Sequence, residues 1–145
     1  MLAPLGPILL VDDDDDDQLF YQAVLRELAP HHQLVVLTNG QATIDYLEQA
    51  SIAPFLIICE LNLRLMTGLQ LRAHIDSDAG LRKLAIPFVF ITHPVHKQQV
   101  EKAYELTIQG LLEKQPDVAS TRQQLQSVIV YWSACLHPNR FSDEG

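Results

Sequence analysis

Five residues able to do chemistry, Asp12, Asp13, Glu60, Thr92 and Lys114, stand where short apolar runs of this chain break off. Three carboxylates packed together repel one another unless a cation or a proton intervenes. An oxygen-rich cluster of this kind suits magnesium, which takes one or two carboxylates and keeps several waters. A hydroxyl and an ammonium opposite the metal would cradle the oxygens of a phosphoryl group. That chemistry requires a fold in which the five residues meet.

The elements that must position them can be read from the apolar pattern. Pro7-Ile8-Leu9-Leu10-Val11, Leu34-Val35-Val36-Leu37, Phe55-Leu56-Ile57-Ile58-Cys59 and Phe88-Val89-Phe90-Ile91-Thr92 are short runs, and Gly110-Leu111-Leu112 is a weaker fifth. Runs that are apolar throughout fit strands covered on both faces, as in a parallel sheet. The segments between them read as helices. Leu19, Phe20, Ala23, Val24 and Leu28 are expected to share one helical face, with Pro30 ending the segment. Asn39 is expected to cap a second helix carrying Ile44, Tyr46 and Leu47. Gly68 opens a third through Ile75, and Pro94 a fourth with Val100, Ala103 and Tyr104. In a fifth, Val118, Leu125, Val128, Ile129, Trp132 and Leu136 recur at helical steps, with Tyr131 and Trp132 as buried anchors. Five strand–helix alternations predict a doubly wound α/β domain with right-handed crossovers. In such a fold the crevice lies at the carboxyl ends of the strands, where the five residues stand. Residues 1–136 form the expected domain and residues 137–145 a tail.

The composition narrows the function. The chain has 145 residues, 18 acids against 10 lysines and arginines, and a net charge of −8. Six of the acids form the run Asp12 to Asp17; without them 12 acids face 10 bases, so the acidity is local. Direct nucleic-acid binding finds no basic patch. Cys59 and Cys135 form no disulfide framework or metal knuckle, and Cys59 reads as a small core hydrophobe. No apolar run approaches the ~20 residues of a membrane helix, and the first seven residues lack the features of a signal peptide. A soluble cytoplasmic protein without membrane contact is expected. Asp14 to Asp17 fit the first turn of a helix, where carboxylates are favoured. His93 and His96 lack a third clear ligand for a metal.

From Ile8 to Trp132 the chain resembles the receiver domain of two-component response regulators. The likeness rests on Ile8-Leu9-Leu10-Val11-Asp12-Asp13, on Glu60-Leu61-Asn62-Leu63 followed by Gly68, on Ile86-Pro87-Phe88-Val89-Phe90-Ile91-Thr92, and on Lys114. The intervals of 32 residues from Glu60 to Thr92 and 22 from Thr92 to Lys114 also agree. The resemblance implies a flavodoxin-like five-stranded parallel sheet in the order 2-1-3-4-5 with helices on both faces. It implies that Glu60 occupies the place of an aspartate that takes a phosphoryl group from a histidine kinase. Magnesium would be held at Asp12, Asp13 and Glu60 with the main-chain carbonyl of Asn62. Thr92 and Lys114 would contact the phosphoryl oxygens, and Leu111 would hold the position of the aromatic switch residue. A histidine kinase or another signalling protein would be the partner. A homodimer face is implied on the fourth helix, fifth strand and fifth helix, here with Tyr104, Leu111 and the start of the last helix.

The departures from that pattern cluster around one pocket. Glu60 is one methylene longer than aspartate, and a misplacement of ~1 Å can cost on the order of 100-fold in a positioned reaction. His93 replaces a small residue, Leu111 an aromatic one, and Arg64 a common proline, with Arg64 placed to pair with a carboxylate. Gln115 follows the lysine where proline is usual, so a trans peptide is expected. These changes point to a non-phosphorylatable or pseudo-receiver without catalytic activity, working through protein contacts, with magnesium binding weak or absent. Glu60 then either mimics the phosphorylated state or marks lost chemistry. The alternative is a small haloacid-dehalogenase-like phosphohydrolase using Asp12, Asp14, Thr92 and Lys114. Asp16, standing where threonine or valine belongs, and the short chain speak against it.

Overall fold

A computed structural model describes residues 5–106, 108–136 and 138–141 of the chain. The five apolar runs form strands β1 (Ile8–Val11), β2 (Leu34–Leu37), β3 (Leu56–Glu60), β4 (Phe88–Thr92) and β5 (Gly110–Glu113). They pair in parallel in the order β2-β1-β3-β4-β5, the flavodoxin-like order that the resemblance implies. In register, Val11 lies between Leu37 and Cys59, Glu60 beside Ile91, and Thr92 beside Glu113. The strands therefore end along one edge, and the residues that follow β1, β3, β4 and β5 emerge together.

Helices α1 (Asp15–Leu28), α2 (Gly40–Gln49), α3 (Gly68–Ser77), α4 (Ala79–Lys83), α5 (Lys97–Glu105) and α6 (Val118–Ala134) cover the sheet. Strand residues alternate between its two faces. Leu9, Val11, Ile57, Cys59, Phe88 and Phe90 pack with Ile44, Leu47, Leu71, Ile75 and Ala103 of α2, α3 and α5. Ile8, Leu10, Leu56, Ile58, Val89 and Ile91 pack with Tyr21, Val24, Leu25, Leu125 and Ile129 of α1 and α6. Cys59 is fully buried among apolar neighbours, and burial pushes its thiol well above the ordinary value.

Polar side chains begin the helices. Asp14, Asn39, Thr67 and Asp117 accept a hydrogen bond from a first-turn amide of α1, α2, α3 and α6 respectively. Thr67 and Gln70 complete a reciprocal capping box.

Several helix expectations need correction. In α1 the buried face is Tyr21, Val24 and Leu25, whereas Leu19 and Ala23 are exposed. The sheet selects a face turned by about one residue from the expected one. In α6, Leu125 and Ile129 are buried, but Val118 is exposed at the first turn and Leu136 lies beyond the end. Tyr131 is exposed and Trp132 half-buried, so this aromatic pair packs edge to face at the rim rather than anchoring the core. The fourth predicted helix is α5; it begins at Lys97, three residues after Pro94, because its cap position is His96. The short α4 is additional to the five expected helices and is capped by Asp78. Of the tail expected at 137–145, Pro138–Arg140 forms a 3-10 turn and the Asn139 amide donates to the Leu84 carbonyl. His137 and residues 142–145 lie outside the described residues. No described helix is long and apolar enough to cross a membrane.

Candidate functional site

The site is built where the strands end. Asp12 follows β1 and prolongs its ladder, its amide donating to Leu37 O at 3.1 Å. Its side chain is 2% exposed; Oδ1 accepts from the Asp14 amide at 2.9 Å. The Gln18 amide group donates to the Asp12 carbonyl and ties α1 to the same point. Lys114 prolongs β5 in the same way, its amide donating to Thr92 O at 2.8 Å.

Glu60 ends β3 and is 7% exposed. Its Oε2 accepts from the Asn62 amide at 3.0 Å, and Asn62 Nδ2 donates to Thr92 Oγ1 at 3.3 Å. Gly68 lets α3 start against this strand end. A Cβ there would stand 2.7 Å from both Glu60 O and Phe90 Cε1. The glycine noted in the sequence thus fixes a close approach.

Lys114 is the hub. Its side chain is 4% exposed, and Nζ lies 2.6 Å from Asp17 Oδ2, 2.8 Å from Glu60 Oε1 and 3.2 Å from Asp12 Oδ2. The Tyr21 ring lies below it, its centroid 5.8 Å from Nζ. Burial alone pulls the ammonium down. The hydrogen bonds to Asp17 and Glu60 and the charges of Asp12 and Glu60 outweigh it and raise Lys114 above the ordinary lysine value. Burial likewise dominates at Asp12, whose carboxyl stays above its usual value despite the Asp14 amide and Lys114. The Tyr21 phenol is pushed up to about 12, again chiefly by burial.

Asp13 belongs to a second, exposed arrangement. Its Oδ2 accepts from the Arg64 backbone amide at 2.8 Å and from Arg64 Nε at 3.2 Å, while Arg64 Nη2 donates to Asp13 O at 3.3 Å. Partial burial works against ionisation, but the Arg64 bonds and charge prevail and hold the Asp13 carboxyl below its ordinary value.

The expected set is thus divided. Asp12, Glu60 and Lys114 meet directly, with Asn62 and Thr92 alongside, while Asp13 pairs with Arg64 one step toward solvent. Leu111 is half-buried and lines, with Thr92, Val100 and Tyr104, a cavity of about 260 Å³ between β5 and α5. His93 stands at the rim, its side chain 72% exposed and its Nε2 4.0 Å from Asp17 Oδ2. The described peptide bonds include no cis bond, so Gln115 follows Lys114 in trans.

Asp17 is the member that sequence reasoning missed. It was assigned to the first helical turn, where it does lie, but it also makes the shortest contact to Lys114. The available signal was the cap: with Asp14 as N-cap, Asp17 falls at the third helical position.

A divalent cation does not fit the carboxylates as they stand. Asp12 and Glu60 already share the Lys114 ammonium, and Asp13 the Arg64 guanidinium. Among the described residues no three His, Cys, Asp or Glu side chains are grouped to hold a metal ion. The arrangement is a buried cluster in which three carboxylates, Asp12, Asp17 and Glu60, share one ammonium behind an acidic mouth.

Comparison with known proteins places this geometry. The chain is similar to response regulator Rcp1 of Synechocystis sp., 30% identical over 130 residues that span 86% of this chain and 87% of that protein. The Mn(2+)-bound form of Rcp1 superposes with a TM-score of 0.77 at 28% identity, covering 91% of this chain and 97% of that one. The phosphorylated cyanobacterial phytochrome response regulator RcpA gives 0.80 at 24% identity, with 92% and 97% covered. The bacteriophytochrome response regulator AtBRR gives 0.72 at 25% identity, with 93% and 99% covered. These relatives do not favour the phosphohydrolase alternative, and Asp14, which it needs beside Asp12, is committed to capping α1. Residues 8–126 match the response regulator receiver domain. With its strand order and its strand-end residues, the chain belongs to the response regulator receiver family of two-component signalling.

Proposed function

We propose that the chain is a pseudo-receiver: it relays a signal through protein contacts and takes no phosphoryl group at Glu60. The observation that carries this reading is the commitment of both Glu60 oxygens, Oε1 to Lys114 at 2.8 Å and Oε2 to the Asn62 amide at 3.0 Å. Attack on a phosphoryl donor needs a carboxylate oxygen free to approach in line. Here one oxygen would have to leave a buried ammonium. The extra methylene of glutamate extends the carboxylate toward the lysine, so the pocket holds Glu60 in one hydrogen-bonded state without a modification. Asp12, Asp13, Glu60 and the Asn62 carbonyl stand at the family's metal positions, and magnesium is not required for this state.

The domain, residues 1–136, would work in the cytoplasm without catalysing a reaction. Its partner would be a histidine kinase or another signalling protein; the likeness to the bacteriophytochrome response regulator AtBRR supports a photosensory one. The contact surface would be the face of α5, β5 and α6, where Tyr104 is 56% exposed beside the Leu111 cavity, and it would also serve a homodimer.

Incubation with acetyl phosphate and magnesium, followed by intact-mass measurement, tests the reading. The wild type is expected to gain no phosphoryl mass, Glu60→Asp little, and Glu60→Asp combined with His93→Ala more. A hydroxylamine-sensitive adduct on wild-type Glu60 overturns the proposal.

A further inference from the structure

The loop after β3 is held in a conformation that its sequence does not favour. Leu65 has φ 67°, in the left-handed region that a branched apolar residue rarely adopts, and the residue is 99% exposed. The Met66 amide donates to Arg64 O at 2.7 Å across it, which makes a γ-turn with a positive central φ, a rare and strained form. Such backbone persists only where its surroundings fix it. On one side the fixing contacts are the three Arg64 hydrogen bonds to Asp13. On the other, Met66 packs against the start of α2, its Sδ 2.5 Å from where a Cβ on Gly40 would lie.

We infer that Arg64 does the work of a divalent cation in this chain: it bridges the loop after β3 to the carboxylate that follows β1 and occupies the acidic mouth in the metal's stead. A cation bound at Asp13 in a receiver would join these same two loops. Here the join is covalently part of the protein. Asp13, Asp14, Asp15, Asp16, Asn62 and Arg64 line the mouth, so the guanidinium sits among the charges that would draw a metal ion in. An ion bound at Asp13 Oδ2 would have to displace both the guanidinium and the Arg64 backbone amide. The side-chain pair is exposed, and alone it would be a weak latch. The amide and the γ-turn remove the loop freedom that a displaced Arg64 would need.

This inference rests on the proposed site reading only in taking Asp13 as a place where the family holds its cation. The test is thermal unfolding of the full chain with and without millimolar magnesium, together with manganese binding followed by electron paramagnetic resonance. The wild type is expected to shift by less than about 1 °C. Arg64→Ala is expected to melt lower without metal, to recover by about 3–5 °C at ten times its dissociation constant, and to bind manganese at least ~10-fold more tightly than the wild type. Adding Asp13→Ala is expected to abolish that gain. Arg64→Lys keeps a charge without the fork and is expected to fall between. Equal manganese affinity in wild type and Arg64→Ala overturns the inference. A wild type that binds metal yet gains no phosphoryl mass would overturn it while leaving the pseudo-receiver reading intact.

Discussion

Replacing Lys114 by methionine keeps the length and apolar stem of the side chain and deletes one buried charge. Asp12 and Glu60 then lose their shared counter-ion where little water can reach them. At an effective dielectric near 20, an ion pair at the 2.8 Å of the Glu60 contact is worth about 6 kcal/mol before desolvation. Breaking a buried pair by removing one partner costs about 3–5 kcal/mol net. For a chain of 145 residues that corresponds to a fall in melting temperature of roughly 10–15 °C. The loss also depends on pH. The folded-state value of Lys114 is raised, so its contribution is present below the unfolded lysine value of about 10.4 and fades only as pH climbs through the folded value. In Lys114→Met the folded state instead binds a proton more readily than the unfolded chain at Asp12, whose carboxyl burial already raises. Its stability therefore increases as pH falls, and the deficit against wild type is largest near pH 7–8 and smaller at pH 5. Urea unfolding at both pH values measures this. Adding Glu60→Gln is expected to return about 1–2 kcal/mol at pH 7 by removing one stranded charge. A deficit below about 1 kcal/mol at pH 7, or one that does not change with pH, would refute the argument that Lys114 is the counter-ion of a buried cluster.

Gly68→Ala is expected to cost about 1–3 kcal/mol in urea unfolding, because its Cβ meets the Glu60 backbone and the Phe90 ring. Gly40→Ala, which meets the Met66 side chain rather than backbone, is expected to cost less, and the reverse order would contradict the packing described. Tyr104→Glu is expected to leave the melting temperature within about 2 °C of wild type while weakening any self-association seen by sedimentation. Unaltered self-association in that variant would remove the α5 face from the dimer.

Much of this architecture was legible because both faces of the sheet are buried. Leu9 and Leu10 point to opposite cores, so the runs are apolar throughout, and the residue that breaks each run marks a strand end. Asp12 and Glu60 were located by that rule, Thr92 closes its own run, and Lys114, one residue past the strand-ending Glu113, was placed by its interval from Thr92. Asp17 was not: six consecutive aspartates carry no internal pattern, and only the cap at Asp14 decides which one turns inward. The buried face of α1 was displaced because Leu19, Phe20, Tyr21, Val24, Leu25 and Leu28 form an apolar band wider than the surface it covers. Helix α4 has five residues, too few for a period to show. The γ-turn at Leu65 has no sequence signature, since a leucine is about the last residue expected there.

The Lys114 cluster also has a consequence in time. Its cation lies 102 residues from Asp12 along the chain, at the end of the last strand to be synthesised. While β1, β3 and β4 are made, Asp12 and Glu60 emerge before the side chain that neutralises them. Pairing β1 with β3 ahead of β5 brings two carboxylates together unshielded. Arrival of β5 then does more than add an edge to the sheet: it discharges a repulsion that has accumulated at the sheet's centre. A nascent or truncated chain ending before Lys114 keeps that repulsion, so final closure of the domain waits on the strand that carries the lysine.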